Sequence, residues 1–406
     1  MPFMSRKTLS RRAALATTGA AAAAPFILPS GAFAQGSGPI RIAGLVSLTG
    51  GGAPFGPSMR IAHQAVVDEV NAAGGLLGRR IEYLSEDDQT NPEAGVRAAR
   101  KLIDVDKVSA IMSVWASSVG SAVLPLCWEN KVMLIGICAA DSIAQLPHQG
   151  YFVRTQPHTE LQGAQFANFA IRQNAKHFYV MMPQTPFTES TMKGIRETCE
   201  PKGIRVSTLV YDARKTSFRS ELDEMKRANP DVLMMGGYQP DNIVMAKDLF
   251  RVGYAGKVIG FAYGVTPQFI EGAGREAAEN IFSLEPVPDA GSSGFDRLRR
   301  LIRRDELDTF VCQAYDHANL AILSIAKAGA ASGTAIRDNI RRISSNNAGG
   351  IKVDNAIDGL KALAAGQEIA YAGASGPCRF SDIGNIMEVT FRFNQVKGGR
   401  VVEVKV

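Results

Sequence analysis

The sequence predicts an α/β protein built from two lobes, each a mostly parallel sheet flanked by helices. Three observations predict it. Strand-like, β-branched runs alternate with helix-like stretches from residue 40 to 154, and the alternation starts again at 177 and runs to 284. Repeated β/α units give parallel sheets, and two such runs give two sheets. The helical stretches 310–328, 335–344 and 355–365 have no strands between them. They need to bury their apolar stripes on a sheet made elsewhere, so the chain returns to the first lobe and then crosses once more to the second. Several crossovers between two lobes make a hinge with a cleft. The 406 residues, 46% hydrophobic and 21% charged, are enough for two or three domains of ordinary globular type.

Taken in order, 40–47 is the first strand, and the loop Gly50-Gly51-Gly52-Ala53-Pro54-Phe55-Gly56 feeds a helix over 58–73. Gly74-Gly75 ends that helix with a left-handed cap. Strand 80–85 leads to Glu86-Asp87-Asp88, and Asn91-Pro92 opens a helix over 93–104 with Pro at its first position. Strand 108–114 runs into Trp115, Ala116, Ser117 and Ser118, a helix continues to Asn130, and strand 132–137 ends at Cys138, Ala139 and Ala140. In a parallel sheet ligands sit outside the carboxyl ends of the strands, so these two loops share one rim. Ser117 and Ser118 either cap the helix or hold an anion there with its free N–H groups.

The second run holds a helix over 161–173, strand 177–182, a rim loop 183–188 and a helix over 189–200. Strand 205–211, helix 218–228, strand 231–235 and the loop Gly236-Gly237-Tyr238-Gln239-Pro240 follow. Helix 241–252, strand 257–261 and strand 278–284 complete it, and the tail from 376 reads as paired strands.

The N-terminus is a targeting segment. Arg6, Lys7, Arg11 and Arg12 precede an alanine-rich run, and Ala32-Phe33-Ala34 is a small-x-small cleavage site. Ser10-Arg11-Arg12-Ala13-Ala14-Leu15 is similar to a twin-arginine signal, with Ala14 where Phe is common. Residues 1–34 are therefore expected to be removed, and the product to be exported to the periplasm. The leader's four basic residues account for most of the formal +6, leaving about +2. With no aromatic-interleaved basic stripe, nucleic acid is not expected as a partner. The five cysteines, Cys127, Cys138, Cys199, Cys312 and Cys378, form no CxxC, and an odd number leaves at least one unpaired. Cys138, on the rim, reads as a small buried hydrophobe.

Catalytic patterns are scarce. No GxSxG, HExxH or Gly-Lys-Ser/Thr loop occurs, and the five histidines lack ligand spacing. No catalytic residue, metal or cofactor is expected. The glycine loop at 50–56 keeps a dehydrogenase open as an alternative, with Glu86 or Asp87 as the ribose-binding acid. Its GxGxxxG spacing and the acids' distance of more than thirty residues both depart from the dinucleotide pattern.

The opening, from Ile40-Arg41-Ile42-Ala43-Gly44-Leu45-Val46 through the glycine loop to "DEVNAAGGLLGRRIEYLSEDDQTNPEAGVRAARKLI", resembles the branched-chain amino-acid type of periplasmic solute-binding proteins. So do "MMGGYQPDNIVMAKDLFRVGY" and "GPCRFSDIGN", and the likeness covers nearly all of the chain after the leader. The resemblance implies two Rossmann-like lobes of the type I periplasmic-binding fold joined by a three-crossover hinge. Residues 39–154 with 286–375 form lobe I, and 155–285 with 376–406 form lobe II. It also implies a monomer that presents a small-molecule ligand to the permease and ATPase of an ABC importer. A sensing module of the same fold is a second reading.

By the same resemblance, Ser117 binds a ligand carboxylate with backbone from Cys138, Ala139 and Ala140, and Ala140 stands where the family has a threonine. Tyr238 matches the aromatic of the opposite lobe, and Phe55 and Phe187 stand where well-known members carry Tyr. The acid that would pair with an amino acid's ammonium falls at Ala262, within Phe261-Ala262-Tyr263. A buried ammonium without that partner would cost about 3–5 kcal/mol. Phe55, Trp115, Phe187, Tyr238, Phe261 and Tyr263 are expected to converge on the cleft. The ligand expected is an aromatic or apolar organic acid lacking an α-amine, with an amide or an amino acid as alternatives; Glu189 or Asp241 would then supply the missing acid.

Overall fold

The first strand, β1 (Ile40–Val46), takes an interior position in a five-stranded sheet because both its faces are largely apolar and are covered. The structure, a computed structural model, describes residues 38–213 and 215–406; the expected leader and its cleavage site lie outside them. With β2 (Ile81–Asp87), β3 (Ala110–Met112), β4 (Met133–Gly136) and β5 (Phe152–Arg154) the sheet has the order β2-β1-β3-β4-β5, all parallel. Its helices are α1 (Gly56–Ala72), α2 (Pro92–Arg100), α3 (Ser117–Glu129) and the short α4 (Asp141–Ala144). Asn91 caps α2 by accepting from Ala94 N at 2.9 Å, with Pro92 at the first helical position. The helix expected to reach residue 104 instead changes to a π-helical turn at Lys101–Val105.

The second sheet follows after α5 (Thr159–Arg172). It contains β6 (His177–Pro183), β7 (Arg205–Tyr211), β8 (Val232–Met235), β9 (Lys257–Phe261) and β10 (Phe282–Pro286), parallel throughout. Between them lie α6 (Pro186–Cys199), α7 (Arg219–Ala228), α8 (Gln239–Arg251), α9 (Pro267–Ala273) and α10 (Arg275–Ala278). Two expectations fail here. Thr185 caps α6 from Thr188 N, so the helix starts at Pro186 and takes in three residues assigned to the rim loop. Residues 278–281 are not strand, because α10 ends at Ala278 and a turn at 279–280 separates it from β10; Thr266-Pro267 is the start signal of the helical stretch before it.

The chain then returns to the first sheet through α11 (Ser293–Ile302), α12 (Thr309–Ala328), α13 (Gly333–Ile343) and α14 (Ala356–Ala364). Their buried faces join β1–β5 in one hydrophobic core. These helices do have strands among them: β11 (Ile351–Val353) and β12 (Ile369–Gly373) pair in parallel, and β13 (Gly376–Pro377) adds a third, antiparallel strand. Cys378, Phe380 and Ile386 also pack in the first core. Passage to the second sheet therefore falls between Ile386 and β14 (Phe391–Lys397), later than the 376 expected. β14 pairs antiparallel with β10, and β15 (Arg400–Val404) closes the order β15-β14-β10-β9-β8-β6-β7. Separate clusters centred on Phe178 and Phe218 cover this sheet's two faces.

Both sheets reverse strand order, the first between β1 and β3 and the second between β6 and β8. Such switch points open a crevice at the strands' carboxyl ends. The four loops that leave them, 47–55, 113–116, 184–185 and 236–238, carry most of the residues that meet next.

Candidate functional site

Ser117 is the first residue of α3 and does not cap it; Ala116 is the N-cap and makes no side-chain cap bond. The Ser117 hydroxyl instead accepts from Ala139 N at 3.2 Å and Ala140 N at 3.0 Å. These bonds tie the loop after β4 to the start of α3. They also engage backbone of two of the three residues that the resemblance assigns to the ligand, Ala139 and Ala140. A hydroxyl with both lone pairs engaged keeps its proton for a further acceptor. The first backbone bond into α3 runs from Gly120 N to Ala116 O at 2.9 Å, so the N–H groups of the first turn have no partner within the helix.

Arg154 holds the same loop from behind. It is fully buried and donates to Ala140 O at 2.7 Å, Cys138 O at 3.2 Å and Asn385 Oδ1 at 2.9 Å. Burial lowers its pKa to about 10, so it stays charged at neutral pH. Burial likewise pushes the Cys138 thiol up to about 12, and all five cysteines are buried free thiols. Next to this loop, burial works to raise the Asp141 pKa, but bonds from His158 and Glu160 N hold it below the usual range. Asp141 N donates to Ser190 Oγ at 3.0 Å, which joins the first sheet's rim to α6.

The glycine loop folds over the rim. Asp87 accepts from Leu48 N, Thr49 N, Thr49 Oγ1 and Gln89 N, while Asp88 accepts from Ser47 Oγ at 2.6 Å and Thr90 N at 2.8 Å. Of the two acids that a dinucleotide reading would use, Asp87 is thus engaged in anchoring the loop, and Glu86 pairs with Lys101. Gly51 and Gly52 are glycine for contact: a Cβ would lie 2.7 Å from the Tyr238 ring at Gly51 and 2.9 Å from Trp115 at Gly52.

Beneath the loop the aromatic side chains form one cluster. Trp115 stands 5.6 Å from Tyr238, 5.5 Å from Tyr263 and 5.8 Å from both Phe55 and Phe310, between ring centroids. Phe261 stacks on Tyr263 at 5.1 Å and lies 5.0 Å from Phe187. Burial pushes the Tyr238 hydroxyl up to about 12, with the nearby Asp88 and Asp241 carboxylates adding to it, and moves Tyr263 well upward. Both are neutral phenols that can donate a proton.

A cavity opens among these groups, with about 530 Å3 of empty space counting the part open to solvent. Of the residues expected from sequence, Trp115, Ser117, Ser118, Ala139, Phe187, Tyr238 and Tyr263 line it. Cys138 and Ala140 do not: the Cys138 side chain packs against Gly120 and Gly136, and Ala140 is fully buried. Phe55 and Ala262 line a neighbouring cavity, and Phe261 belongs to the second sheet's core. Sequence reasoning missed Gln156, Gln162, Thr185 and Phe310. Gln156 follows the end of strand β5, a rim position of the same kind as those of Trp115 and Tyr238. Phe310 opens α12, and only the return of that helix to the first core brings it here. No Asp, Glu, Lys, Arg or His side chain is in the lining, and the described residues hold no cluster suited to a metal ion.

The sequence profile of the periplasmic binding protein family matches residues 39–400 of this chain. The leucine-, isoleucine-, valine-, threonine- and alanine-binding protein of Pseudomonas aeruginosa is 23% identical over 309 residues, 74% of this chain and 82% of that protein. The fold is that of a leucine binding protein from Thermotoga maritima (TM-score 0.77, 21% identity, 90% of this chain and 98% of that one). It is also that of an ABC-transporter solute binding protein from R. palustris in complex with benzoate (TM-score 0.73, 18% identity, 90% and 96% covered).

Proposed function

The chain belongs to the periplasmic binding protein family, and on that premise we propose that it is the extracytoplasmic binding component of an ABC importer for a small aromatic or otherwise apolar carboxylic acid. The observation that carries the ligand class is the lining of the cavity. Five rings, from Trp115, Phe187, Tyr238, Tyr263 and Phe310, surround the hydroxyls of Ser117, Ser118 and Thr185, with no charged side chain among them. An amino acid would bring an ammonium, and Ala262 offers nothing to pair with it. A buried ammonium in that position costs about 3–5 kcal/mol.

A carboxylate has better company. The Ser117 proton, the free N–H groups and positive end of α3, and the buried charge of Arg154 behind the loop all favour an anion. The rings supply apolar surface for the rest of the ligand. Residues 39–154 with 287–386 act as one lobe and 155–286 with 391–406 as the other, hinged at the crossovers and closing on the ligand. A leader over residues 1–34 exports the chain to the periplasm, where the closed form is handed to a permease. Both the Pseudomonas protein, which binds amino acids, and the R. palustris protein, seen with benzoate, are compatible with that role.

The test is thermal unfolding of the chain from Gln35 onward against aromatic acids, aliphatic acids, amides and branched-chain amino acids. A ligand at a thousandfold excess over its Kd adds about 4 kcal/mol. Stabilisation by acids and not by leucine, isoleucine or valine is the expected result. Stabilisation by the amino acids instead refutes the ligand class.

A further inference from the structure

Two glutamines in the cavity have no part in the reading above. Gln156 follows β5 on the crossover, Gln162 lies one turn into α5, and they are 7% and 2% exposed. Both also line the neighbouring cavity, so they stand with Tyr263 and Phe310 in the wall between two voids.

Backbone carbonyls decide which atom each amide presents. The Thr155 carbonyl accepts from Gln313 Nε2 at 3.2 Å, and since a carbonyl can only accept, the Gln313 amide is fixed in orientation. The same nitrogen donates to Gln156 Oε1 at 2.8 Å, which leaves Gln156 to present its Nε2. The Pro157 carbonyl accepts from Gln162 Nε2 at 2.6 Å, which leaves Gln162 to present its Oε1. Neither presented atom bonds to another described residue, and neither is among the side-chain atoms sealed from solvent without a partner. The wall therefore offers a donor and an acceptor to the void. Amide groups in so enclosed a place call for partners.

We propose that Gln156 and Gln162 form a hydroxyl-reading pair, and that the acid this cavity takes is a hydroxy-substituted aromatic carboxylic acid. The proposal rests on the reading of the ligand as an apolar acid and makes it narrower. The ligand hydroxyl accepts from Gln156 Nε2–H and donates its own proton to Gln162 Oε1. A carboxylate can only accept, an ammonium can only donate and a methyl group does neither, so none of them complements the pair.

Calorimetric titration with benzoate, its ortho-, meta- and para-hydroxy derivatives and the corresponding methoxybenzoates tests this on the wild-type chain, Gln156→Leu and Gln162→Met. The ratio of affinities is the readout, which makes it independent of any general loss of binding in a variant. In the wild type one hydroxybenzoate is expected to bind ~10-fold or more tightly than benzoate, the worth of one to two net hydrogen bonds. Its methoxy analogue, which accepts but cannot donate, should lose that gain. In either variant the ratio should fall towards one. A wild-type ratio near one for all three isomers overturns the proposal, as does a ratio that survives both substitutions. If a variant binds neither acid, the wild-type ratios decide. If the wild type binds no acid of the panel, the reading of the ligand as an acid fails first and takes this proposal with it.

Discussion

Replacing Ser117 with Ala removes one oxygen and two kinds of interaction at once. In the ligand-free protein, Ala139 N and Ala140 N lose the acceptor that holds them at 3.2 and 3.0 Å. Ser117, Ala139 and Ala140 are all buried, so water has poor access to the stranded groups. Each costs about 1–3 kcal/mol when unsatisfied, and partial relaxation of the loop brings the expected total to ~2–4 kcal/mol. In the complex, the carboxylate loses a charge-assisted hydrogen bond worth about 1.5–3 kcal/mol, or roughly 10–150-fold in Kd. Urea unfolding without ligand measures the first quantity and calorimetric titration with the best acid measures the second. A Ser117→Ala chain that unfolds at the wild-type urea midpoint would show that the loop does not depend on this hydroxyl. A Kd within about twofold of wild type would refute the placement of the carboxylate at Ser117.

Three further outcomes are expected. Asp88 is fully buried with Oδ2 unpartnered, and its pKa is raised to about 6, by burial first, against bonds from Ser47 and Thr90 that lower it. Because the folded value lies above the ordinary 3.8, its contribution is fully present below pH 3.8 and is lost as pH rises through about 6, an effect of about 3 kcal/mol. The buried Asp316 is raised to about 6 as well, so unfolding free energies across that window should show both contributions, and Asp88→Asn should remove about half of the slope; an unchanged slope would assign the titration elsewhere. Arg154→Met strands three acceptors, Ala140 O, Cys138 O and Asn385 Oδ1, and should lower stability by ~3 kcal/mol or more in urea unfolding, with Arg154→Lys recovering part. Gly51→Ala puts a Cβ 2.7 Å from the Tyr238 ring, so ligand affinity should fall by ~1–3 kcal/mol in calorimetry while the ligand-free chain, free to open, keeps its stability.

Most strands and helices were legible because apolar runs and turn residues alternate cleanly; the spans 205–211 and 257–261 match β7 and β9 to the residue. What failed was information that resides in pairing. β11 is three residues long and mostly exposed, and nothing local distinguishes Ile351–Val353 from a loop until the buried β12 lies beside it. The late crossing after Ile386 is equally non-local, because it depends on Cys378 and Phe380 finding the first core. For the site, rim position pointed to the loop of Trp115 and Ser117, while Phe187 and Tyr238 came from the resemblance; all four line the cavity and follow strand ends at switch points. Cys138 and Ala140 lie on the same rim yet face away, a matter of side-chain direction that alternates residue by residue and that loop sequence does not encode. Gln156 and Gln162 depend on hydrogen bonds to Gln313 and Pro157, contacts that exist only after the crossover has packed on α12 and α5.

The geometry of the rim is set by a polar chain inside the first core. Ser113, immediately after β3, has φ of 62°, a left-handed conformation that costs a serine roughly 1–2 kcal/mol. Its hydroxyl lies 3.0 Å from His63 Nε2 and 2.9 Å from His317 Nδ1, while His63 Nδ1 meets Tyr83 Oη and His317 Nε2 meets Thr155 Oγ1 at 2.8 Å. Burial lowers His63 to about 3 and moves His317 well below its ordinary value, so both rings are neutral and each has one donor and one acceptor nitrogen. With Tyr83 donating to His63, the bonds then run in one direction, from Tyr83 through His63, Ser113 and His317 to Thr155, and all four ring nitrogens are satisfied. The turn at Ser113 aims Trp115 and Ser117 at the cavity, and Thr155, at the other end of the chain, is the residue before Gln156. The same set of bonds that holds the strained turn therefore also fastens the start of the crossover to α12, where Gln313 adds a bond to the Thr155 carbonyl.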